Sequence, residues 1–150
     1  MPLHFRPALP SDITACHAMR GQTRENAVSA QRLDAMGITV QAWSSSVRAG
    51  QLAGHVCTEH DRVVGYCFGD TQSGEVIVLA LLPDCERRGA GKHLLDLVVN
   101  GLIAAGHRRL FLGCSADPAT RSYGFYRHLG WTSTGAFDEA GDEVLEFIAR

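Results

Sequence analysis

The stretch from Glu75 to Ala105 constrains this chain more than any other. It opens on Glu75-Val76-Ile77-Val78-Leu79-Ala80-Leu81-Leu82, an apolar run that Pro83 stops. Continuous rather than alternating hydrophobicity predicts a central strand buried on both faces. Pro83-Asp84-Cys85-Glu86-Arg87-Arg88-Gly89-Ala90-Gly91-Lys92 follows. Residues 91–105 then carry apolar side chains in two rows, Leu94, Val98, Leu102 and Leu95, Val99, Ile103. These i, i+4 rows predict one broad helical stripe with Gly106 as its stop. A turn between such a strand and such a helix presents unpaired backbone N–H groups and the positive end of the helix dipole, which suits a phosphate. Gly89 and Gly91 withhold the Cβ atoms that would keep a pyrophosphate from the backbone. Arg87, Arg88 and Lys92 add positive charge at the same place. The plainer alternative is an ordinary turn with solvated basic residues.

Two other glycine motifs fail on these residues. A P-loop needs G-x-x-x-x-G-K-[ST], and Glu86 and His93 stand where its first glycine and its hydroxyl ligand belong. A dinucleotide fingerprint needs a third glycine, and Leu94 occupies that place. Nucleotide hydrolysis and hydride transfer lose their main support.

The rest of the chain reads as a mixed sheet flanked by helices, an α/β (mixed α+β) arrangement. Residues 4–9 suggest a strand ended by Pro10, and Ser11-Asp12 offers an N-cap for a helix to Arg20. A polar stretch, residues 21–26, precedes helical patterns over residues 27–36 and 39–48, separated by Gly37. Residues 55–59 and 63–68 are β-rich and flank His60-Asp61-Arg62 as a hairpin. Leu110-Phe111-Leu112 is a further strand, residues 118–129 a helix ending at Gly130, and residues 131–137 and 144–148 a closing pair of strands.

At 150 residues the chain suits one domain, 1–150, with one core. A formal charge of −2 gives no basic footprint for nucleic acid, so none is expected as a partner. No apolar run reaches the length of a bilayer span, and Met1-Pro2-Leu3-His4-Phe5 does not open a signal peptide. Neither a membrane nor a secretory route is expected. The five cysteines (Cys16, Cys57, Cys67, Cys85, Cys114) are odd in number and lack a C-x-x-C pair. That predicts reduced thiols in the cytoplasm, with Cys67 and Cys114 as small core residues. The seven histidines form no H-x-x-x-H pair, so no metal is expected. Oligomeric state, a homodimer included, stays open.

Strand, proline, then Arg87-Arg88-Gly89-Ala90-Gly91 leading a helix resembles motif A of the GCN5-related N-acetyltransferases (GNAT). About thirty residues on, Ser122-Tyr123-Gly124-Phe125-Tyr126-Arg127-His128-Leu129-Gly130-Trp131 resembles the same family's motif B. Both motifs fall in the family's order over the last half of the chain. The resemblance implies a central, mostly antiparallel sheet with element order β-α-α-β-β-β-α-β-α-β-β. It also implies acetyl-CoA as co-substrate and a small-molecule or peptide amine as acceptor. Residue by residue, it implies that the backbone of Leu79, Ala80 and Leu81 pairs with the pantetheine arm. Arg87, Arg88, Gly89, Ala90, Gly91 and Lys92 would hold the pyrophosphate, and Tyr126 would act as general acid beside the sulfur. Three positions depart from the family pattern. Glu86 stands where Gln or Arg is usual, unfavourable beside a pyrophosphate unless it turns away towards an arginine. Ala119 stands where many members have an Asn, and Gly113 where some carry a basic glutamate.

The chemistry itself sets one more requirement. With a reference pKa of about 10.4, roughly one lysine amine in a thousand is neutral at pH 7, so transfer needs a route for the proton. Glu75 is the candidate base; it lies fourteen residues before Gly89, the spacing of the glutamate in the family's histone-acetylating branch. A strand-start carboxylate after Ser73-Gly74 is its plain reading. The acidic group Asp138, Glu139, Asp142, Glu143 and Glu146 could draw a cationic amine, although a solvated hairpin accounts for it too. A CoA-binding regulatory module without turnover is the alternative function.

Overall fold

The computed structural model describes residues 2–150; Met1, the first residue of the start read above as no signal peptide, lies outside the described residues. Among the described residues seven strands and five α-helices follow one another as β1 (His4–Pro7), α1 (Ile13–Met19), α2 (Ala30–Ala35), α3 (Val40–Arg48), β2 (Leu52–Glu59), β3 (Arg62–Asp70), β4 (Val76–Leu81), α4 (Ala90–Ala104), β5 (Arg109–Cys114), α5 (Arg121–His128), β6 (Thr132–Phe137) and β7 (Glu143–Ile148). The strands make two antiparallel sheets, β1-β2-β3-β4 and β5-β7-β6. An isolated parallel bridge, Glu75 to Phe111, joins them where β4 begins. Buried residues from Ile13 to Leu145 form one connected core. Among the described residues no helix is long and apolar enough to cross a membrane.

Local chemistry explains the clearest elements. His60 and Asp61 both take positive φ (54° and 62°), the backbone of the two-residue turn whose twist matches a right-twisted hairpin. Ser29 and Thr39 cap α2 and α3, accepting hydrogen bonds from the N–H of Arg32 and of Ala42. Helix α4 buries Leu94, Leu95, Val98 and Leu102 against β2, β3 and β4, each worth roughly 1.5–3 kcal/mol if fully removed from water. Gly69 admits it: a Cβ there would stand 2.9 Å from Leu102 and 3.0 Å from Val98.

Several expectations need correction. The second row of α4 leaves the core, with Val99 half-buried and Ile103 exposed. An i, i+4 row precesses by about 40° per step at 3.6 residues per turn, so its far end rotates outward. Asp12 does not cap α1 through its side chain. Its carboxylate instead accepts the Leu9 N–H at 2.7 Å and both guanidinium nitrogens of Arg6, at 2.7 and 2.9 Å. That pairing with Arg6 holds its carboxyl below the usual range. Strand β1 ends at Pro7 and α5 starts at Arg121, because Pro10 opens a 3-10 turn and residues 117–120 form a turn on Asp117. Most important, β4 is not buried on both faces. It is the edge of its sheet, with Val76, Val78 and Ala80 in the core and Ile77, Leu79 and Leu81 half-exposed. Its second apolar face looks onto a cleft rather than onto another layer.

Candidate active site

Beyond the Glu75–Phe111 bridge, a cleft of about 580 Å³ lies between β4 and the end of β5. Its walls are β4, the turn before α4, the end of β5, the start of α5 and the segment between α1 and α2.

The free edge of β4 supplies hydrogen-bonding groups to this space. Leu82 N–H bonds back to Val64 on β3, whereas Leu79 C=O accepts the Asn26 side-chain amide from the cleft side, at 3.3 Å. In an antiparallel ladder the N–H and C=O of one residue point the same way and alternate along the strand. Leu79 and Leu81 therefore turn their backbone groups outward, and Ala80, of Leu82's parity, turns inward to Tyr66, its partner on β3. Of the three backbone positions read from the sequence, the outer two face the cleft.

The turn meets the helix with left-handed residues at Arg87 (φ 64°) and Gly89 (φ 79°). Such alternation aims successive N–H groups into one concavity, and the first-turn donors of Ala90, Gly91 and Lys92 add to it. A Cβ built on Gly89 meets nothing within 4 Å, so the space above the turn is open. Gly91 is needed for a different reason: its Cβ would stand 3.3 Å from Leu81 and 3.6 Å from Phe125. Arg87, Gly89, Gly91 and Lys92 line the cleft, with Lys92 also paired to Asp96 at 2.8 Å. Arg88 and Ala90 do not line it: Arg88 is held on Glu59 of β2 at 2.9 Å, and Ala90 is buried under the helix.

The opposite wall is a contribution the sequence pattern did not reveal. Three consecutive residues of the polar stretch reach three other elements. Arg24 lies 3.1 Å from Glu86, Glu25 accepts the Arg121 N–H with both oxygens (2.9 and 3.1 Å), and Asn26 holds Leu79. Glu25 thereby does for α5 what a capping residue normally does, since Thr120 makes no side-chain cap bond. Arg121 also approaches Glu86, at 3.1 Å. The Glu86 side chain, only 11% exposed, thus turns to two arginines, as the unfavourable alternative at that position required. Its Oε1 has no aligned hydrogen-bond donor, so the contact with Arg24 is one of charge.

Tyr126 lines the cleft from α5 and is 9% exposed. Its ring is fixed by edge-on contacts with Phe125 (5.1 Å between centroids) and Trp131 (6.1 Å), and Trp131 packs in turn on Phe147. Gly130 (φ 98°) turns the chain after α5 so that Trp131 N–H reaches Tyr126 C=O, which is why a Gly-aromatic pair ends this helix. Burial drives the Tyr126 hydroxyl well above the usual phenol range, and the neighbouring Cys67 and Cys114 push the same way.

Glu75 sits at the seam of the two sheets, half-buried, and is not among the residues lining the cleft. Burial raises its carboxyl, helped by Asp70 and Asp138. Asp142, from the β6–β7 turn, does line the cleft, and burial beside Asp138 raises it too. Gly113 explains the approach: a Cβ there would stand 2.6 Å from Asp138 Oδ2 and 3.4 Å from Asp142 Cβ. The absent side chain on β5 makes room for carboxylates from the neighbouring hairpin.

Comparison with known proteins agrees with this geometry. Over its full length the chain is similar to the PaiA N-acetyltransferase of Thermoplasma acidophilum, solved with coenzyme A (TM-score 0.80, 13% identity, 99% of each chain). It is also similar to the yncA protein of Salmonella typhimurium, solved with its cofactor acetyl-CoA (TM-score 0.75, 16% identity, 100% of this chain and 95% of that one). The ribosomal-protein-S18-alanine N-acetyltransferase of Escherichia coli is a third (TM-score 0.72, 16% identity, 99% and 96%). Identities this low establish the fold. No curated protein matches the chain. The family model that describes the acetyltransferase (GNAT) family matches residues 15–131, which include the polar segment, strand β4, the turn and the tyrosine helix. With its cleft at the parting of two sheets and its fold shared throughout, this chain belongs to the GNAT family of acetyltransferases.

Proposed function

We propose that this protein transfers the acetyl group of acetyl-CoA to a primary amine on a small molecule or peptide, by direct attack of the amine on the thioester. The observation that carries the reading is the convergence in one cleft of the outward backbone of Leu79 and Leu81, the open helix start behind Gly89, and Tyr126. The same cleft fits the co-substrate on this chain's own terms: an apolar strand edge beside a turn whose glycine leaves the backbone uncovered, with Arg24, Arg87, Lys92 and Arg121 around it. Solved proteins of this fold that hold coenzyme A or acetyl-CoA support it. All five cysteines are free and buried, in accord with a cytoplasmic setting, and direct attack of the amine needs no thiol nucleophile, although Cys114 lines the cleft.

Acetyl-CoA supplies the acetyl group already activated as a thioester. The first-turn N–H groups of α4, with Arg87 and Lys92, hold the pyrophosphate. Leu81 offers an N–H and a C=O to the pantetheine arm in the manner of strand addition. Leu79 N–H would meet the thioester oxygen, where charge develops, while Asn26 holds the C=O of the same residue on the same edge of the strand. Tyr126 stays protonated throughout the working pH range because of its burial. The same burial makes it a weak acid against a thiolate whose reference pKa is near 8.5, so its service is a hydrogen bond to the leaving sulfur with the proton moving late.

Two carboxylates compete for the amine's proton. Glu75 follows from its spacing to the turn, and Asp142 is favoured by its place on the cleft wall. Thiol release from acetyl-CoA across an amine panel tests the reaction, and the pH–rate profiles of Glu75→Gln and Asp142→Asn assign the base. The variant that has lost the base shows its largest deficit at low pH and recovers as free amine accumulates. Binding of acetyl-CoA without thiol release from any amine would favour the regulatory-module alternative instead.

A further inference from the structure

A second cavity, of about 180 Å³, lies among α1, α2, α3 and the β3–β4 face. Its wall is apolar, with Ile13, Leu33, Met36, Ile38, Trp43 and Tyr66 as the main side chains. It adjoins the co-substrate cleft, with Arg20, Val28, Ile77 and Val78 lining both spaces. No carboxylate is among the described residues that line it. Tyr66 brings a hydroxyl that bonds with Arg20, and His17 brings an imidazole whose Nε2 meets two acceptors, Asp34 Oδ1 at 3.0 Å and Ile38 C=O at 3.1 Å. That nitrogen therefore carries a hydrogen already engaged by the protein.

Among the described residues Arg20 is the one formal cation on this wall. Its Nε–H donates to Asn26 C=O at 2.9 Å, and Asn26 in turn holds Leu79 on β4. A positive group is thus tied, through one residue, to the strand where the thioester carbonyl is expected, at the mouth of an apolar cavity.

We propose that the acceptor is an α-amino acid with a compact apolar side chain. The inference rests on the acetyl-transfer reading above. Its side chain fills the cavity, its carboxylate meets Arg20, and its amine reaches the thioester beside Leu79. The size argument is direct: pockets for drug-sized ligands run to about 300–1,000 Å³, so this cavity takes a body of side-chain size. The charge argument is equally direct. A polyamine or a lysine-rich peptide would bring an ammonium group into a cavity whose lining carries a guanidinium and no carboxylate among the described residues, the nearby Asp34 being held by His17, at an unfavourable electrostatic cost. In the transfer, the ammonium loses its proton to the base and the nitrogen forms the amide bond to the acetyl carbon. The C–S bond breaks and its electron pair leaves on sulfur. A second amine proton is lost to solvent or to the same base, and coenzyme A departs as the thiol or thiolate.

The test compares L-leucine with leucinamide and isoamylamine, which lack its carboxylate, and with spermidine, by thiol release at fixed acetyl-CoA. L-leucine should exceed isoamylamine and leucinamide in kcat/KM by about tenfold or more and spermidine by about a hundredfold, on the scale of a desolvated charge pair. Arg20→Gln should bring the leucine-to-isoamylamine ratio close to one, mainly through KM, and Arg20→Lys should restore part of it. Val28→Trp, which places a large ring where the two spaces adjoin, should raise KM for leucine independently of charge. Binding of L-leucine to the coenzyme A-loaded protein, measured by calorimetry, keeps the proposal testable without turnover. Preference for spermidine, equal use of leucine and isoamylamine, or no heat with leucine would overturn it. If leucine binds the loaded protein but no amine releases thiol, the acetyl-transfer reading fails while the ligand class stands.

Discussion

The turn at residues 86–92 and the segment at residues 24–26 face each other across one cleft, yet they are held by opposite means. The turn owes its shape to backbone: two left-handed residues, a helix start and a glycine with open space above it. The segment owes its place to side chains, each reaching an element 53 to 96 positions away in sequence. Arg24 and Glu86 then join the two walls by charge. A wall built from backbone tolerates most single substitutions outside its glycines, whereas a wall built from three long-range contacts can be dismantled one side chain at a time.

The largest expected effect lies on the helix that both walls touch. Helix α5 carries Tyr126 into the cleft and has its start capped by Glu25. Tyr126→Phe should lower the turnover number by about 10²-fold, equal to about 2.7 kcal/mol of barrier, with acetyl-CoA affinity and melting temperature little changed. Turnover within a factor of two of the parent protein would remove Tyr126 from the chemistry.

Next in size is the contrast between the walls themselves. Glu25→Ala removes the cap of α5 and should cost about 1 kcal/mol of stability while also lowering turnover, because the helix start and Tyr126 share one element. Gly89→Ala meets no atom but must hold a positive φ, so it should cost roughly 1–2 kcal/mol without disturbing the far wall. If Glu25→Ala weakened acetyl-CoA binding and left turnover untouched, the segment would belong to the co-substrate side alone.

These two walls also differ in how far they were legible. The turn stood out because proline, arginines and paired glycines at a strand-to-helix junction have a local physical meaning that needs no knowledge of the rest of the chain. Glu86 was legible as a problem, a carboxylate in the wrong company, but its partners Arg24 and Arg121 were not. Nothing in Arg24-Glu25-Asn26 has periodicity or motif spacing, since what those residues do is decided by elements folded against them later. Strand β4 was misjudged for a related reason: apolar residues serve a ligand-facing cleft as well as a second protein layer, and the sequence pattern is the same for both. Likewise the carboxylates over Gly113 come from the β6–β7 turn, which reads as an ordinary polar hairpin until the backbone brings it across β5.

A smaller effect separates structure from chemistry at the seam. The Glu75 carboxyl is raised by burial and by Asp70 and Asp138, so the folded protein binds a proton there more tightly than the unfolded chain does. Stability from this group is therefore greatest below the ordinary carboxylate range and falls as pH rises through the unfolded and then the raised folded value. Glu75→Gln should raise the melting temperature at pH 7, and the gain should fade towards pH 4. A gain at pH 7 accompanied by lost turnover would identify Glu75 as a group retained for chemistry against stability. A gain without lost turnover would leave the proton to Asp142.

The account stands most directly on co-substrate binding, and thermal unfolding with and without acetyl-CoA measures it. A ligand that binds only the folded cleft, at a hundred times its dissociation constant, adds about 2.7 kcal/mol. For a chain of this length that corresponds to a rise of about 5–10 °C in melting temperature. The account predicts that rise for acetyl-CoA and none for ATP, and a sharp reduction of it when Gly91→Trp drives a large ring against Leu81 and Phe125 at the cleft wall. An unchanged melting temperature at saturating acetyl-CoA would contradict it.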